Sequence, residues 1–168
     1  MAGTQSFDIT TGCELQEVDN AVNQALKEVH QRFDFKGLKV GIELLRSENK
    51  IVLRAPDDYK LHSLWELLQQ KLIRRQVPIQ NLRPGKVVPA AGSTVTQEVE
   101  LQQGIPGDTA RAIVKLVKEQ KIKRVQCEIQ GDQVRISSPS RDDLQRVIAL
   151  LREQDYGIQL KFGNYRSN

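Results

Sequence analysis

The sequence predicts an α+β chain made of two tandem copies of one βαββαβ unit, and three observations carry that expectation. Apolar residues switch repeatedly between a period of two and a period near 3.6, so short strands alternate with amphipathic helices. The order strand, helix, strand, strand, helix, strand occurs twice. The stretch Arg124 to Leu151 matches Val40 to Leu68 in kind: Pro139, Leu144, Val147, Leu150 and Leu151 stand a constant 83 positions after Pro56, Leu61, Leu64, Leu67 and Leu68. An internal duplication with so long a period points to two small domains rather than a solenoid, because each copy can bury a face of its own.

Each element follows from its own pattern. Ser6 to Ile9 alternates Phe7 and Ile9 inward with Ser6 and Asp8 outward, a short strand. From Glu14, Leu15, Val18, Val22, Ala25, Leu26, Val29 and Phe33 recur at helical spacing and stop before Gly37, which predicts a long helix with one buried stripe. Leu38, Val40, Ile42 and Leu44 alternate, Ser47 to Asn49 turns, and Ile51, Leu53 and Ala55 alternate again, so a hairpin follows. The helix from Asp57 buries Leu61, Leu64, Trp65, Leu68 and Leu72, with an acidic start and a basic end that suit the helix dipole. Val77 to Leu82 is expected as a fourth strand. Arg83 to Thr94, with two prolines and two glycines, is expected as the linker between a first repeat (1–88) and a second (94–168). The second copy opens with a strand at Thr94 to Leu101 and a helix at Asp108 to Gln120. A hairpin turning at Gly131-Asp132, a helix and a closing strand through Ile158, Leu160 and Phe162 complete it. This order is the split βαβ arrangement of ferredoxin-like domains, with two helices on one face of a four-stranded antiparallel sheet. The topology serves many functions and argues for none by itself.

Composition narrows the class. At 39% hydrophobic and 27% charged the 168 residues suit a globular protein. No apolar run approaches a membrane span and the first residues lack the pattern of a signal peptide, so a cytoplasmic protein without a membrane partner is expected. Cys13 and Cys127 are far apart and only two histidines are present, which does not suit a metal site. The net charge of +4 and a pI near 9.1 only touch the range that invites a nucleic-acid hypothesis.

The residues offer little to a catalyst. No nucleophile and base, paired carboxylates in an apolar site, or metal cluster stands out, and no enzyme or cofactor is expected. His30 and His62 fall on the flanks of amphipathic helices. Asp57-Asp58 and Asp142-Asp143 open helices, where carboxylates cap free amides. Isolated glycines such as Gly104 and Gly131 lack phosphate-loop spacing. RNA-binding sheets of this topology stack bases on aromatic residues, but the open face expected here carries Asp8, Arg54, Glu98, Glu100 and Arg135 and no ring. Basic residues are more coherent elsewhere: Arg32 and Lys36 at a helix-to-strand junction, Arg141 opening the last helix, and Lys161, Asn164, Tyr165 and Arg166 at the end. Guanidinium groups grip phosphate bidentately or stack on a base, and Asn or Tyr can add base-edge contacts. From chemistry alone, surface solubility and dipole complementation are the favoured explanation of the same residues. Lys115, Lys118, Lys121, Lys123 and Arg124 form a second basic run, expected as a solvated helix face, with a weak polyanion patch as the alternative.

The stretches SFDI (6–9), RFDFKG (32–37), QQGI (102–105), IQG (129–131), RDDLQ (141–145) and LKFGNYR (160–166) occur in the order and spacing of one family. From residue 6 onward the chain resembles the bacterial YajQ-like nucleotide-binding proteins. The resemblance implies tandem ferredoxin-like, RNP-like domains that exchange their N-terminal strands, so that SFDI joins the second domain and residues 94–102 join the first. It also implies a non-enzymatic regulator that binds a nucleotide, with cyclic di-GMP, GTP or ATP as candidate ligands, RNA as a further one, and a protein partner downstream. The residues expected to hold the nucleotide are Arg32, Asp34, Lys36, Arg135, Arg141, Lys161, Asn164, Tyr165 and Arg166, at a site between the two domains. The chain departs from the family at Ser138-Pro139-Ser140, where Gly-Lys-Lys is common, which removes two cations near Arg141. A Phe-containing ending is replaced by Asn164-Tyr165-Arg166, which keeps an aromatic ring.

Overall fold

A computed structural model describes residues 3–167 and divides the chain into two units, one from Gly12 to Gln103 and the other joining the residues up to Thr11 to those from Gly104 onward. The architecture is α+β, with two four-stranded antiparallel sheets and four α-helices.

The Gly12–Gln103 unit contains helix α1 (Leu15–Gln31), strands β2 (Gly41–Leu45) and β3 (Lys50–Ala55), helix α2 (Asp58–Arg74), and strands β4 (Leu82–Ala90) and β5 (Thr94–Leu101). Its sheet runs β2-β3-β5-β4. The core lies between the sheet and the two helices: Ile51, Leu53, Ala55 and Val99 from the strands meet Val18, Ala21, Ala25, Leu61, Leu64 and Leu68. Asp57 caps α2 by accepting a hydrogen bond from the Lys60 amide at 2.8 Å.

Three expectations fail here, for identifiable reasons. Helix α1 ends at Gln31, Arg32 is extended, and a single 3₁₀ turn follows at Phe33–Phe35. That change of path takes Phe33 off the apolar stripe, leaving it 89% exposed, and turns Phe35 into the core at 2%. The supposed linker is strand β4, and the supposed strand before it is a 3₁₀ turn at Ile79–Asn81. Pro84 and Pro89 are tolerated because β4 is an edge strand, where a missing amide costs no ladder bond, and a register shift between Pro84 and Val87 absorbs Gly85.

The other unit contains β1 (Gln5–Thr10), α3 (Gly107–Glu119), β6 (Gln126–Gln130), β7 (Gln133–Ser138), α4 (Arg141–Arg152) and β8 (Lys161–Ser167). Its sheet runs β6-β7-β1-β8, so β1 lies between β7 and β8 and is antiparallel to both. Phe7, Ile9, Val134 and Ile136 pack against Ile113, Val117, Leu144, Val147, Ile148 and Leu151. The last strand starts at Lys161 rather than Ile158, which is buried within an irregular stretch. The N-cap of α4 is Ser140, whose hydroxyl accepts from the Asp143 amide at 3.2 Å, while Asp142 and Asp143 sit in the first turn. The cap expected of the acidic pair thus comes from the Ser138-Pro139-Ser140 stretch. Among the described residues no helix is long and apolar enough to cross a membrane.

Candidate functional site

The chemistry of the second unit gathers where β1 and β8 run together. Along β8 the pairing of Ser6 with Arg166 and of Asp8 with Gly163 leaves one extra residue on β8, a β-bulge. Asn164 takes the bend with φ of 54°, a left-handed conformation that asparagine adopts more readily than most residues. Its side-chain amide donates to Oδ2 of Asp8.

Asp8 is 4% exposed and fully partnered. Arg135 donates to it from Nε at 2.9 Å and Nη2 at 3.4 Å, across the β1–β7 register that sets these two residues opposite each other. The Arg135 hydrogen bond holds the Asp8 carboxyl below its ordinary range against the opposing effect of burial, with Asn164 and the charge of Arg166 adding to the pull. The same pair raises the Arg135 pKa. An acid expected on an open, phosphate-repelling face is therefore neutralised and covered.

The bulge sets Tyr165 beside the core. Its ring lies 6.0 Å from that of Phe7, which Phe162 meets edge-on from another side at 6.1 Å, yet Tyr165 stays 60% exposed. Tyr165, Arg166 and Ser167 then form one wall of a pocket of about 300 Å³; Gln5 and Ser6 of β1 form another, and Arg141, Leu144 and Gln145 of α4 close it. Arg141, Leu144 and Gln145 share one face of the helix by their i, i+3, i+4 spacing. Among the described residues neither Arg141 nor Arg166 has a carboxylate within ion-pairing distance. The pocket thus offers two guanidinium groups, an exposed ring over an apolar floor, and two side-chain amides. That set can hold an anion and stack a planar ring.

The nine residues singled out from the sequence separate into distinct groups. Arg141, Tyr165 and Arg166 meet at the pocket, while Arg135 and Asn164 meet at Asp8 beside it. Lys161 pairs in register with Thr10 at the far end of the β1–β8 ladder. Arg32, Asp34 and Lys36 belong to the Gly12–Gln103 unit, where Arg32 and Asp34 pair with each other. There Arg32 donates from Nε and Nη2 to the two Asp34 oxygens at 3.0 and 2.8 Å, and this hydrogen bonding draws the Asp34 carboxyl below its ordinary range. Arg32 and Lys60 also lie over the Phe35 ring, at 5.2 and 5.5 Å. Gln5, Leu144, Gln145 and Asp8 were not expected at a site. The signals available were the helical spacing to Arg141 and the opposite charges of Asp8 and Arg135 on one sheet face.

Among the described residues no group of histidine, cysteine and carboxylate side chains could hold a metal ion. The family profile described as "Nucleotide-binding protein YajQ-like" matches residues 5–166. The chain belongs to the YajQ-like nucleotide-binding protein family. It is 53% identical over 163 residues to a protein of Solibacter usitatus (strain Ellin6076), covering 97% of this chain and 98% of that one. It is 55% identical over 166 residues to one of Desulfitobacterium hafniense (strain DSM 10664 / DCB-2), covering 99% and 100%. Both relatives bear the name "Nucleotide-binding protein". The YajQ-like match spans both units, so nucleotide binding is the family-level description against which the pocket is to be weighed.

Proposed function

We propose that the protein is a non-enzymatic, cytoplasmic nucleotide-binding regulator, and that the pocket formed by β1, β8 and the start of α4 holds the nucleotide. The observation that carries this reading is the convergence on one pocket of a partly exposed tyrosine ring and two guanidinium groups that have no carboxylate within ion-pairing distance among the described residues. Arg141 and Arg166 take the phosphate, Tyr165 stacks on the base, and Gln5 and Gln145 contact base or sugar edges. About 300 Å³ is the lower end of the usual range for small-molecule pockets, so one nucleotide unit fits and a cyclic dinucleotide would leave its second base outside. GTP or ATP is therefore favoured over cyclic di-GMP. We also infer that the two units descend from one duplicated domain with exchanged N-terminal strands, a reading supported by β1 pairing with β7 and β8 while β5 pairs with β3 and β4.

Calorimetric titration with GTP, ATP, cyclic di-GMP and a short single-stranded RNA, at two salt concentrations, tests the proposal. Saturable binding of one mononucleotide, weakened about tenfold or more by Arg141→Ala and by Arg166→Ala, is the expected result. Absence of heat with every nucleotide, or unchanged affinity in both variants, would remove the pocket from consideration. A steep loss of RNA affinity with salt, without mononucleotide binding, would favour an RNA-binding role instead. A second reading, a protein-interaction adaptor, is favoured by the exposed Ile129 on the opposite edge of the same sheet.

A further inference from the structure

We propose that the furrow between α3 and the edge strand β6 binds an acidic, aliphatic polypeptide segment of a partner protein, which adds to β6 as an extra strand. The sheet order β6-β7-β1-β8 puts this furrow at the opposite edge from the nucleotide pocket, and the proposal does not depend on that pocket. Among the described residues strand β6 pairs only with β7, so its outer row of amides and carbonyls has no strand partner there. Edges of this kind are covered, blunted or used for recognition.

The furrow is apolar because α3 covers its edge strand incompletely. Helix α1, 17 residues long, lies over β2, the edge strand of the other sheet, and Ile42 there is 7% exposed. Helix α3 has 13 residues, and Ile129, on the helix-facing side of β6, is left 42% exposed. Ile129 and Val114 line a furrow of about 410 Å³ whose rim is Arg111, Lys115, Lys118 and one carboxylate, Glu119, so that cations outnumber acids three to one. Toward the other end of β6, Cys127 lines a neighbouring hollow that shares Lys118. Arg111 is paired with Asp108, but among the described residues Lys115 and Lys118 face no carboxylate within ion-pairing distance. Lys121, Lys123 and Arg124 continue the positive charge just past the helix.

This chemistry selects the occupant. Aliphatic side chains of an added strand would fill the furrow, its carboxylates would meet the lysines, and its main chain would complete the β6 ladder. Nucleic acid matches the charge but not the floor, which has no ring on which a base could stack.

The test uses the full chain and a fluorescein-labelled dodecapeptide of alternating Glu and Val, with a Lys-Val dodecapeptide and a dodecameric oligouridylate as comparators. Expected are saturable binding of the acidic peptide, at least about tenfold loss in a Lys115→Glu, Lys118→Glu double variant, and slowed hydrogen exchange at alternate β6 amides in the complex. Both lysines are exposed, so the double variant should fold, and circular dichroism checks that it does. Equal binding of the acidic and basic peptides, an unaffected double variant, or preferential binding of the oligouridylate at this edge would overturn the proposal.

Discussion

Replacing Asp8 by Asn tests whether the bulge and its buried carboxylate form one unit. The substitution keeps the size of the side chain but removes the charge that accepts from Nε and Nη2 of Arg135 and from Asn164. Hydrogen bonds to charged groups contribute about 1.5–3 kcal/mol each and are not additive when they share an acceptor. The ladder bonds of β1 persist and water can reach the Arg135 side chain, which is 23% exposed, so the expected loss at neutral pH is about 2 kcal/mol. At about 1.4 kcal/mol per decade this speeds exchange of the most protected β1 and β8 amides by about 30-fold. The sign of the pH dependence follows from the depressed pKa. The folded-state value lies below the ordinary 3.8, so the stabilisation is complete above the unfolded value and is lost as pH falls through the folded one. The gap between wild type and Asp8→Asn should therefore be constant from pH 7 to about 5 and should close below about pH 4. Native-state hydrogen exchange resolved by strand is the assay, because the sole tryptophan, Trp65, lies in α2 of the other unit and would report the wrong sheet. A difference under about 0.5 kcal/mol at pH 7, or one that does not change with acid, would refute the argument.

Three further outcomes follow from the same unit. Asn164→Gly keeps the left-handed bend and loses only the bond to Asp8, so it should cost about 1 kcal/mol, whereas Asn164→Val adds a β-branched side chain at φ of 54° and should cost about 1–2 kcal/mol more by urea denaturation. Ser140→Ala removes the α4 cap and should lower stability by about 1 kcal/mol in the same assay, with exchange speeding first in the amides of Arg141 to Asp143. Gly104→Ala would place a Cβ 2.5 Å from Oδ2 of Asp132 at φ of 143°, and a thermal scan should show a loss of about 2 kcal/mol or more, partly relieved by pairing it with Asp132→Ala.

Local structure was legible wherever the burial pattern is local. The alternation of Ile51, Leu53 and Ala55 and the helical spacing of Leu61, Leu64, Leu68 and Leu72 translate directly into side chains at 0% exposure. Departures arose where context overrides composition. Proline and glycine in Arg83 to Thr94 read as a linker, yet an edge strand tolerates both, and whether a strand is an edge is a property of the whole sheet. Phe33 continues the helical spacing of α1, but the backbone leaves the helix at Arg32, and one extended residue is enough to send the ring into solvent. The site shows the same division. Arg141, Tyr165 and Arg166 were singled out by residue type and by resemblance to a family, not through any spacing that relates them. What joins them is the pairing of β1 with a β8 that starts later than expected, and a bulge whose stabilising contact spans 156 positions from Asn164 to Asp8. Alternation alone placed Asp8 on an open sheet face as a charge hostile to phosphate. Opposite it in register, 127 positions away, stands Arg135. A carboxylate that pairs with one guanidinium and holds the bulge leaves Arg141 and Arg166 without an ion-pair partner among the described residues, and that distinction between structural and available cations depends on register rather than composition.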